Sequence, residues 1–257
     1  MVAGEVLVLW DVDHTLISAG GLSTHLYGVV FAELFGRELP RVAPMAGRTD
    51  RAIIVETLAA AGVDDPRAHV PAFIAELTRQ APAFGERVRE RGRVLPGVRE
   101  ALAALAGGAG GAGAFGGAGA LGGAGARGVV WQSVLTGNIR PLAEVKLGAL
   151  GLGEPLDLAI GAYGDIDEVR AELVQVARER ASAVAGPEAR GFAGEATVLV
   201  GDTPLDVAAA LATGARAVGV ATGSYREAEL VAAGAHVVLP DLSDTGRVRD
   251  AVLDGPG

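Results

Sequence analysis

The chain has no cysteine and almost no lysine. The absence of cysteine excludes disulfide bonds, thiolate metal sites and cysteine nucleophiles. Of the 22 lysine and arginine residues, only Lys146 is a lysine. Heavy use of alanine, glycine, valine and arginine is typical of GC-rich coding, so most of the arginines reflect the genome. The single lysine is therefore informative.

Basic residues are also fewer than acidic ones. The formal net charge of -9 at pH 7 argues against a nucleic-acid or anionic-membrane partner, because both bind basic patches. An anionic substrate would need a cation in the site. The apolar run at 5–10 is too short for a signal or membrane-spanning segment and lacks a basic n-region. We therefore expect a cytoplasmic protein.

Short apolar runs alternate with helical patterns along most of the chain. Continuous apolar runs are typical of strands buried on both faces, and they predict strands at 6–10, 129–135, 156–160, 197–200, 217–220 and 236–239. Helical patterns lie between them, at 140–150, 168–184, 204–212 and 226–233. This alternation predicts an α/β fold, a three-layer α/β/α Rossmann-like parallel sheet.

Two segments break the alternation. Residues 18–94 have helical patterns at 25–35, 50–61 and 71–91 and no convincing strand. They predict an all-helical cap domain inserted into a core domain of residues 1–17 and 95–257. Residues 106–128 are mostly glycine and alanine, which at this density do not repay the entropy of ordering. We predict a flexible surface loop there, without chemistry of its own.

Polar residues follow three of the predicted strands, at the sheet edge where open parallel sheets bind ligands. They are Asp11, Asp13, Thr136, Gly137, Asn138, Asp202 and Asp206. Four carboxylates in one region repel one another unless a cation neutralises them. Hard oxygen ligands without a cysteine or histidine cluster predict Mg²⁺. A helix cap is the structural alternative for Asp206 and for Asp50.

Three motifs resemble those of the haloacid-dehalogenase-like (HAD) superfamily. DVDHTL at 11–16 resembles its DxDxT motif, LTGN at 135–138 its second motif, and VGDTPLD at 200–206 its GDxxxD motif. They occur in the family's order, with the helical segment between the first and the second. The resemblance covers nearly the whole chain apart from the glycine/alanine loop. It implies a HAD-like core with a helical cap, as in the phosphoglycolate-phosphatase-like and β-phosphoglucomutase-like branch.

The resemblance also implies roles for these residues. Asp11 would be the nucleophile that forms an aspartyl-phosphate, and Asp13 the general acid and then the base. Mg²⁺ would be held by Asp11 and Asp202 with the main-chain carbonyl of Asp13, while Asp206 orients waters or ligands. Thr136 and the backbone amides of the neighbouring Gly137 and Asn138 would bind the phosphoryl oxygens.

The family's third motif is a basic residue, usually lysine. Arg170, in GDIDEVRAEL, stands where many members have it, but without the customary proline after it. Lys146 lies one helix earlier, where some members supply it, on an apolar helix stripe with Leu142 and Ala149. A buried, unpaired ammonium is costly, and the aspartates are its obvious partners. We favour Lys146 as the phosphate-binding cation and keep Arg170 as the alternative.

Two further positions have open interpretations. MAGRTDRAI at 45–53 looks like the substrate-specificity loop of phosphoglycolate-phosphatase-like members, in which Arg48 would meet an anionic leaving group. The alternative is an ordinary helix start with a solvated arginine. His14 departs from the family, where glycine is usual, and either lines the site or is merely tolerated.

Together these features predict a magnesium-dependent phosphatase for a small phosphorylated metabolite, with phosphoglycolate as the nearest family substrate. A β-phosphoglucomutase-like phosphotransferase keeps the same motifs and stays open. Asp13 argues against a dehalogenase, and the absence of lysine from the predicted cap argues against a phosphonoacetaldehyde hydrolase. A non-catalytic binding protein on the same fold is disfavoured, because every expected acid is present.

Overall fold

The computed structural model describes residues 5–106, 118–120, 129–186 and 191–254. The first part of the chain forms β1 (Val6–Trp10), β2 (Ile17–Ser18), α1 (Leu22–Phe35), α2 (Asp50–Ala60), a 3-10 helix (Pro66–His69), α3 (Val70–Arg91), β3 (Arg93–Val94) and α4 (Val98–Leu105). The second part forms β4 (Ala118–Ala120), β5 (Val129–Val134), α5 (Arg140–Ala149), α6 (Arg170–Ala185), a 3-10 helix (Gly194–Ala196), β6 (Thr197–Gly201), α7 (Pro204–Ala212), β7 (Arg216–Val220), α8 (Glu227–Ala232), β8 (Val237–Leu239) and α9 (Thr245–Leu253).

A six-stranded sheet in the order β4-β5-β1-β6-β7-β8 forms the centre of the core. The strands β5, β1, β6, β7 and β8 are parallel, and β4 is antiparallel at the edge. Val8 and Trp10 of β1 pack into the apolar cluster under α4, α5 and α9, while Leu7 and Leu9 pack under α6, α7 and α8. Successive strand residues point to opposite faces, so a wholly apolar strand suits a sheet covered on both sides. The predicted three-layer α/β/α fold is confirmed.

The strand predicted at 156–160 is absent, and this prediction is wrong. The segment meets β5 at two separate points, where the N–H of Asp157 donates to Gln132 O and the N–H of Ala162 donates to Val134 O. Between these points the Asp157 side chain accepts from the N–H of Ala159 at 3.0 Å, which closes a local turn. Leu156 is buried, so the apolar pattern reflects a packed turn rather than a strand.

The predicted glycine/alanine loop at 106–128 lies almost entirely outside the described residues. The exception that matters is β4, whose backbone pairs antiparallel with β5 from Ala118↔Trp131 to Ala120↔Val129. For these three residues the prediction of a flexible surface loop is wrong, since they form a strand. Backbone hydrogen bonds to a neighbouring strand order even residues of weak intrinsic strand preference.

Residues 18–94 contain α1, α2 and α3 close to the predicted positions. Their apolar side chains form a separate cluster that includes Tyr27, Phe31 and Phe73 and is completed by Ile139 and Leu142 from the start of the α5 region. The antiparallel pair β2–β3 joins the two ends of this helical insertion and was not among the predicted elements. The division into core and cap domains stays a prediction.

The core helices α4 and α9 also have no counterpart among the predicted elements. They span eight and nine residues. They pack against each other on one face of the sheet. Within the described residues, no helix combines the length and the apolar character needed to cross a bilayer.

Candidate active site

Strand β1 leads directly into the first two carboxylates. The N–H of Asp11 donates to Val200 O at 2.8 Å, which extends the pairing with β6 by one residue. The chain then turns back, since the N–H of His14 donates to Ile17 O at 2.7 Å. His14 has a φ of 65°, in the left-handed region that glycine adopts without strain. The glycine usual at this position in the family that the motifs resemble thus has a conformational reason, and histidine adopts this φ at a cost in strain.

Three aspartates from two chain segments meet beside one arginine. Carboxylate oxygens of Asp11, Asp202 and Asp206 lie within 4.8 Å of one another, and all three residues are buried. Arg170, the first residue of α6, places its Nη2 atom 2.7 Å from Asp11 Oδ1 and 2.6 Å from Asp206 Oδ1. We call these four residues the aspartate cluster. Asp13 was also predicted to bind the metal, but it does not belong to this cluster, because its carboxylate contacts other residues.

Asp206 stabilises a helix as well as belonging to this cluster. Thr203 is the N-cap of α7, and its hydroxyl accepts from the N–H of Asp206 at 3.2 Å. In return Asp206 Oδ2 accepts from the N–H of Thr203 at 3.1 Å and from its hydroxyl at 2.7 Å. This capping box satisfies helix N–H groups that lack intrahelical partners. Asp206 therefore contributes to the capping box through Oδ2 and to the aspartate cluster through Oδ1.

Burial and mutual repulsion raise two pKa values in the aspartate cluster. Burial raises the pKa of Asp11 to about 7, with Arg170 opposing the rise and Asp206 adding to it. Burial raises the pKa of Asp202 to about 8, and the charges of Asp11 and Asp206 add to it. One guanidinium cannot balance three carboxylates, since two negative charges remain.

A divalent cation fits this cluster. It would supply the missing charge, and its preferred ligands, if it is Mg²⁺, are carboxylate oxygens such as these. Oδ1 of Asp206 is buried and accepts no hydrogen bond among the described residues, although it lies in ion-pair contact with Arg170. Such an atom keeps capacity for a further cationic partner.

Lys146 lies in a second set of polar contacts, on the other side of Asp13. Its Nζ atom is 2.6 Å from Asp13 Oδ2 and donates to Asn138 Oδ1 at 2.6 Å, and the side chain is fully buried. The Asn138 Nδ2 amide donates to the same Asp13 oxygen at 2.7 Å and to Thr136 Oγ1 at 2.8 Å. We call Asp13, Asn138 and Lys146 the lysine cluster. The sequence-based expectation that a carboxylate partners the lone lysine is met by Asp13.

In the lysine cluster the pKa shift has the opposite sign. Burial alone would raise the pKa of Asp13, but the Lys146 charge and the hydrogen bonds from Lys146 and Asn138 outweigh it. The net result is a lowered pKa. Asp13 is therefore a carboxylate at neutral pH in this arrangement, which is the form that accepts a proton.

Arg48 lies at the cavity but already has partners. Its Nη2 atom is 2.6 Å from Glu56 Oε2, and its Nη1 donates to Pro44 O at 3.2 Å. Its main chain packs closely against the core. A Cβ atom built on Gly137 would lie only 1.9 Å from Arg48 O. Gly137 thus permits the insertion to approach the second motif closely. The predicted contact of Arg48 with a leaving group stays a prediction.

Asp50 links the insertion to the core in a way that the sequence did not indicate. Thr49 caps α2, accepting from the N–H of Ala52 at 3.3 Å. Asp50 instead accepts from the Tyr27 hydroxyl at 2.6 Å and from the N–H of Ile139 at 2.8 Å. Ile139 is the N-cap residue of α5, so a carboxylate from the insertion satisfies the start of a core helix. The two residues are 89 positions apart, and no local pattern reveals such a pair.

A cavity of about 590 Å³ lies between the core edge and the insertion. Its core wall includes Asp11, Asp13, Thr136, Gly137, Asn138, Arg170 and Asp202, and its insertion wall includes Thr24, Arg41, Met45, Arg48 and Asp50. Of the predicted site residues, only Lys146 and Asp206 are absent from the cavity lining. The chain thus brings most of the predicted polar groups to one cavity.

Comparison with known proteins agrees with the resemblance seen in the motifs. The sequence model of a family described as HAD-hydrolase-like matches residues 170–245, and no curated protein sequence matches the chain. A hydrolase from Pseudomonas syringae is similar in structure, with a TM-score of 0.62 at 18% identity over 96% of this chain and 98% of that one. A Clostridium acetobutylicum protein described as a predicted phosphatase has a TM-score of 0.63 at 15% identity over 97% and 100% of the two chains. A Thermotoga maritima protein whose description proposes a β-phosphoglucomutase has a TM-score of 0.55 at 19% identity over 96% and 100%.

Proposed function

We propose that this chain, whose residues 170–245 match a HAD-hydrolase-like family model, is a magnesium-dependent phosphatase that hydrolyses a small phosphorylated metabolite. The observation that carries this proposal is the placement of Asp11. Its Oδ1 atom is held by Arg170, and its Oδ2 atom accepts no hydrogen bond among the described residues. The residue also lines the cavity, with a second carboxylate, Asp13, two residues further on in the same wall. A carboxylate nucleophile beside an acid/base group is what an aspartyl-phosphate mechanism requires.

Several donors near Asp11 are available for phosphoryl oxygens. Among the described residues, the N–H groups of Val12, Asp13 and Gly137 donate no hydrogen bond. The Thr136 hydroxyl accepts from Asn138 and keeps its own proton to donate. Such preorganised donors stabilise the charge that develops on a transferring phosphoryl group.

Mg²⁺ would be held by Asp11 and Asp202, with Asp206 orienting its other ligands. The main-chain carbonyl of Asp13 accepts no hydrogen bond among the described residues and is a further ligand candidate. When bound, the ion neutralises the phosphoryl oxygens and so lets a protein with a net charge of -9 accept an anionic substrate.

Asp11 and Asp13 account for the protons in both halves of the reaction. Asp13, a carboxylate in the free protein, first has to take up a proton. An Asp11 carboxylate oxygen then bonds to phosphorus while the bond from phosphorus to the ester oxygen breaks, and Asp13 gives its proton to the departing alcohol. The Asp13 carboxylate then takes a proton from water as the water oxygen bonds to phosphorus and the bond from phosphorus to the Asp11 oxygen breaks. Inorganic phosphate leaves, with Asp11 ionised and Asp13 protonated as before the first displacement. The aspartyl-phosphate splits one difficult displacement into two easier ones.

A phosphotransferase is the second candidate. The similar Thermotoga maritima structure is described as a proposed β-phosphoglucomutase. The same site would then pass the phosphoryl group from Asp11 to a sugar hydroxyl instead of water. The two functions differ in their products, because only the phosphatase releases inorganic phosphate in step with substrate loss.

The substrate proposal rests on the cavity and on the overall charge. A space of about 590 Å³ suits a metabolite rather than a polymer, and a net charge of -9 disfavours nucleic acid and anionic membranes as partners. We propose a phosphoglycolate-like phosphomonoester in the cytoplasm and phosphoglycolate as the first compound to assay. A non-catalytic binding protein would retain the fold and bind such compounds without turnover.

Phosphate release from p-nitrophenyl phosphate and from a panel of phosphorylated metabolites, with and without Mg²⁺, tests the proposal. We expect Mg²⁺-dependent release that Asp11→Asn abolishes. Asp64→Asn is a matched control, because Asp64 is an exposed residue of the insertion away from the cavity lining. Transfer to a sugar without net phosphate release would support the phosphotransferase, and binding without any turnover would support the binding protein.

A further inference from the structure

We infer that the two buried cations of the site have different tasks, and that Lys146 is a positioning residue for Asp13 rather than a ligand of the phosphoryl group. This inference rests on the proposed phosphatase function. The sequence favoured the lone lysine as the phosphate-binding cation. In this inference Arg170 faces the substrate instead.

Lys146 does not face the substrate space. Its side chain is fully buried and lies outside the cavity lining, whereas Asp13 and Asn138 line the cavity. Its ammonium already contacts two oxygen acceptors at 2.6 Å each, and it lies 5.8 Å from the centre of the Phe84 ring. The charge is therefore satisfied by the protein alone, with no substrate present.

The lysine fixes the orientation of the groups that do line the cavity. Because the ammonium donates to Asn138 Oδ1, the Nδ2 end of that amide must point toward Asp13 and Thr136. Both donors to Asp13 meet its Oδ2 atom. Oδ1 of Asp13 accepts no hydrogen bond among the described residues, and it is the oxygen left to exchange a proton with the leaving group. One ammonium thus sets the geometry of three side chains.

This task also explains why the residue is lysine in a chain that otherwise uses arginine. An ammonium is compact and can donate in several directions from the end of a flexible stem. A planar guanidinium needs more room than a fully buried slot beside Phe84 offers, and its fixed fork does not match two acceptors on different side chains.

Arg170 has the opposite properties. It lines the cavity, and its Nη2 atom contacts Asp11 Oδ1, Asp206 Oδ1 and Leu135 O. Its Nε atom is buried without a partner among the described residues. Its Nη1 atom lies 3.4 Å from the position of a Cβ on Gly137, next to the predicted phosphoryl donors. Arg170 therefore has free donors where the phosphoryl group would lie.

The two tasks respond differently to the leaving group. The p-nitrophenolate ion leaves without a proton, whereas an alkoxide needs one from Asp13. The value of kcat/KM reports the steps up to release of the alcohol. A residue that positions the acid therefore matters for alkyl phosphates and much less for p-nitrophenyl phosphate, while a residue that binds the phosphoryl group matters for both.

We would measure kcat/KM of Lys146→Met and Arg170→Met on phosphoglycolate and on p-nitrophenyl phosphate. For Lys146→Met we expect a loss of about 100-fold on the alkyl ester and less than about tenfold on the aryl ester. For Arg170→Met we expect similar losses on both. Lys146→Arg should not restore the alkyl activity, since the shape of the group matters.

A second variant keeps the test decisive if Lys146→Met does not fold. Asn138→Ala removes the same orientation from a partly exposed position and should show the same leaving-group bias. Equal losses on both esters in Lys146→Met or Asn138→Ala would overturn the inference while leaving the phosphatase proposal intact. A wild-type protein that cleaves neither ester would overturn both.

Discussion

The aspartate cluster and the lysine cluster lie at the same sheet edge but differ in charge balance. The first combines three carboxylates with one guanidinium, and the second combines one carboxylate with one ammonium. The pKa values of Asp11 and Asp202 are accordingly raised, and that of Asp13 is lowered. Burial acts in the same direction on all three, so the neighbouring charges decide the difference.

This difference shows which part of the site is complete. The lysine cluster contains its own counter-charge and is organised before any ligand arrives. The aspartate cluster has three carboxylates for one guanidinium, and we expect a further cation to complete its charge balance. We expect substitutions in the two clusters to change separate properties, proton transfer for one and metal affinity for the other.

The largest expected effect is on proton transfer. Asp13→Asn has nearly the same shape but can neither give nor take the proton, so kcat/KM on phosphoglycolate should fall by about 10²- to 10⁴-fold. The Mg²⁺ concentration for half-maximal activity should not change. Steady-state kinetics over a Mg²⁺ titration measures both quantities. A large change in Mg²⁺ requirement would show that the clusters are not separate.

Asp202→Asn should give the converse result. Loss of a carboxylate from the aspartate cluster should raise the Mg²⁺ concentration for half-maximal activity by about 10- to 100-fold. At saturating Mg²⁺, the ratio of activities on aryl and alkyl esters should stay that of the wild type, because Asp13 is untouched. The same titration, with the exposed Asp64→Asn protein as control, measures this. An altered ester ratio at saturation would contradict the comparison.

The stability gained from Mg²⁺ should increase with pH. The folded-state pKa values of about 7 for Asp11 and about 8 for Asp202 exceed the usual 3.8, so the folded protein holds more protons than the unfolded one between these values. Without metal, the free energy of unfolding therefore falls as pH rises through this window. Mg²⁺ needs the ionised carboxylates and relieves their repulsion.

Thermal unfolding with and without Mg²⁺ tests this linkage. The increase in Tm on adding Mg²⁺ should be larger near pH 8.5 than near pH 5.5, by about a few degrees. The Asp202→Asn protein should show a smaller difference between the two pH values. An equal gain in Tm at both pH values in the wild type would contradict the charge balance described for the aspartate cluster.

The smallest expected effect tests the link between the lysine cluster and the insertion. Asp50→Ala removes the acceptor for the N–H of Ile139 at the start of α5, the helix that also holds Lys146. The free energy of unfolding should fall by about 2 kcal/mol, because the N–H of Ile139 and the buried Tyr27 hydroxyl both lose their acceptor. Denaturant unfolding measures it, with Asp64→Ala as control. If the Mg²⁺ affinity fell together with the stability, Asp50 would affect the aspartate cluster as well. This result would contradict the prediction that Asp50 is linked to the lysine cluster alone.

Much of the core followed from local patterns. Five of the six predicted strands formed, because a continuous apolar run is what a sheet covered on both faces demands. The sixth, at 156–160, has the same apolar character but closes a turn through the Asp157 side chain. Composition alone does not separate a buried turn from a buried strand.

The sequence predicted which residues would meet at the sheet edge, but it did not predict the contacts that they make. Asp11, Asp13 and Asp202 come directly after apolar strands, and parallel strands bring their carboxyl ends to one edge. That a buried lysine must have a carboxylate partner also follows from the cost of an unpaired charge. The tie between Asp50 and Ile139 joins residues far apart in the chain, and it left no signal in the sequence.

The sequence by itself therefore determined the α/β order, the acidic sheet edge and the one lysine on an apolar helix stripe, because each depends on residue type and local spacing. Only the tertiary structure decided which cation meets which acid. Lys146 reaches Asp13 and Arg170 reaches Asp11, although both cations are buried near the same edge. The helix α5, which holds Lys146, packs on one face of the sheet and against the insertion, and α6, which begins with Arg170, packs on the opposite face, so packing decides which acid each cation reaches.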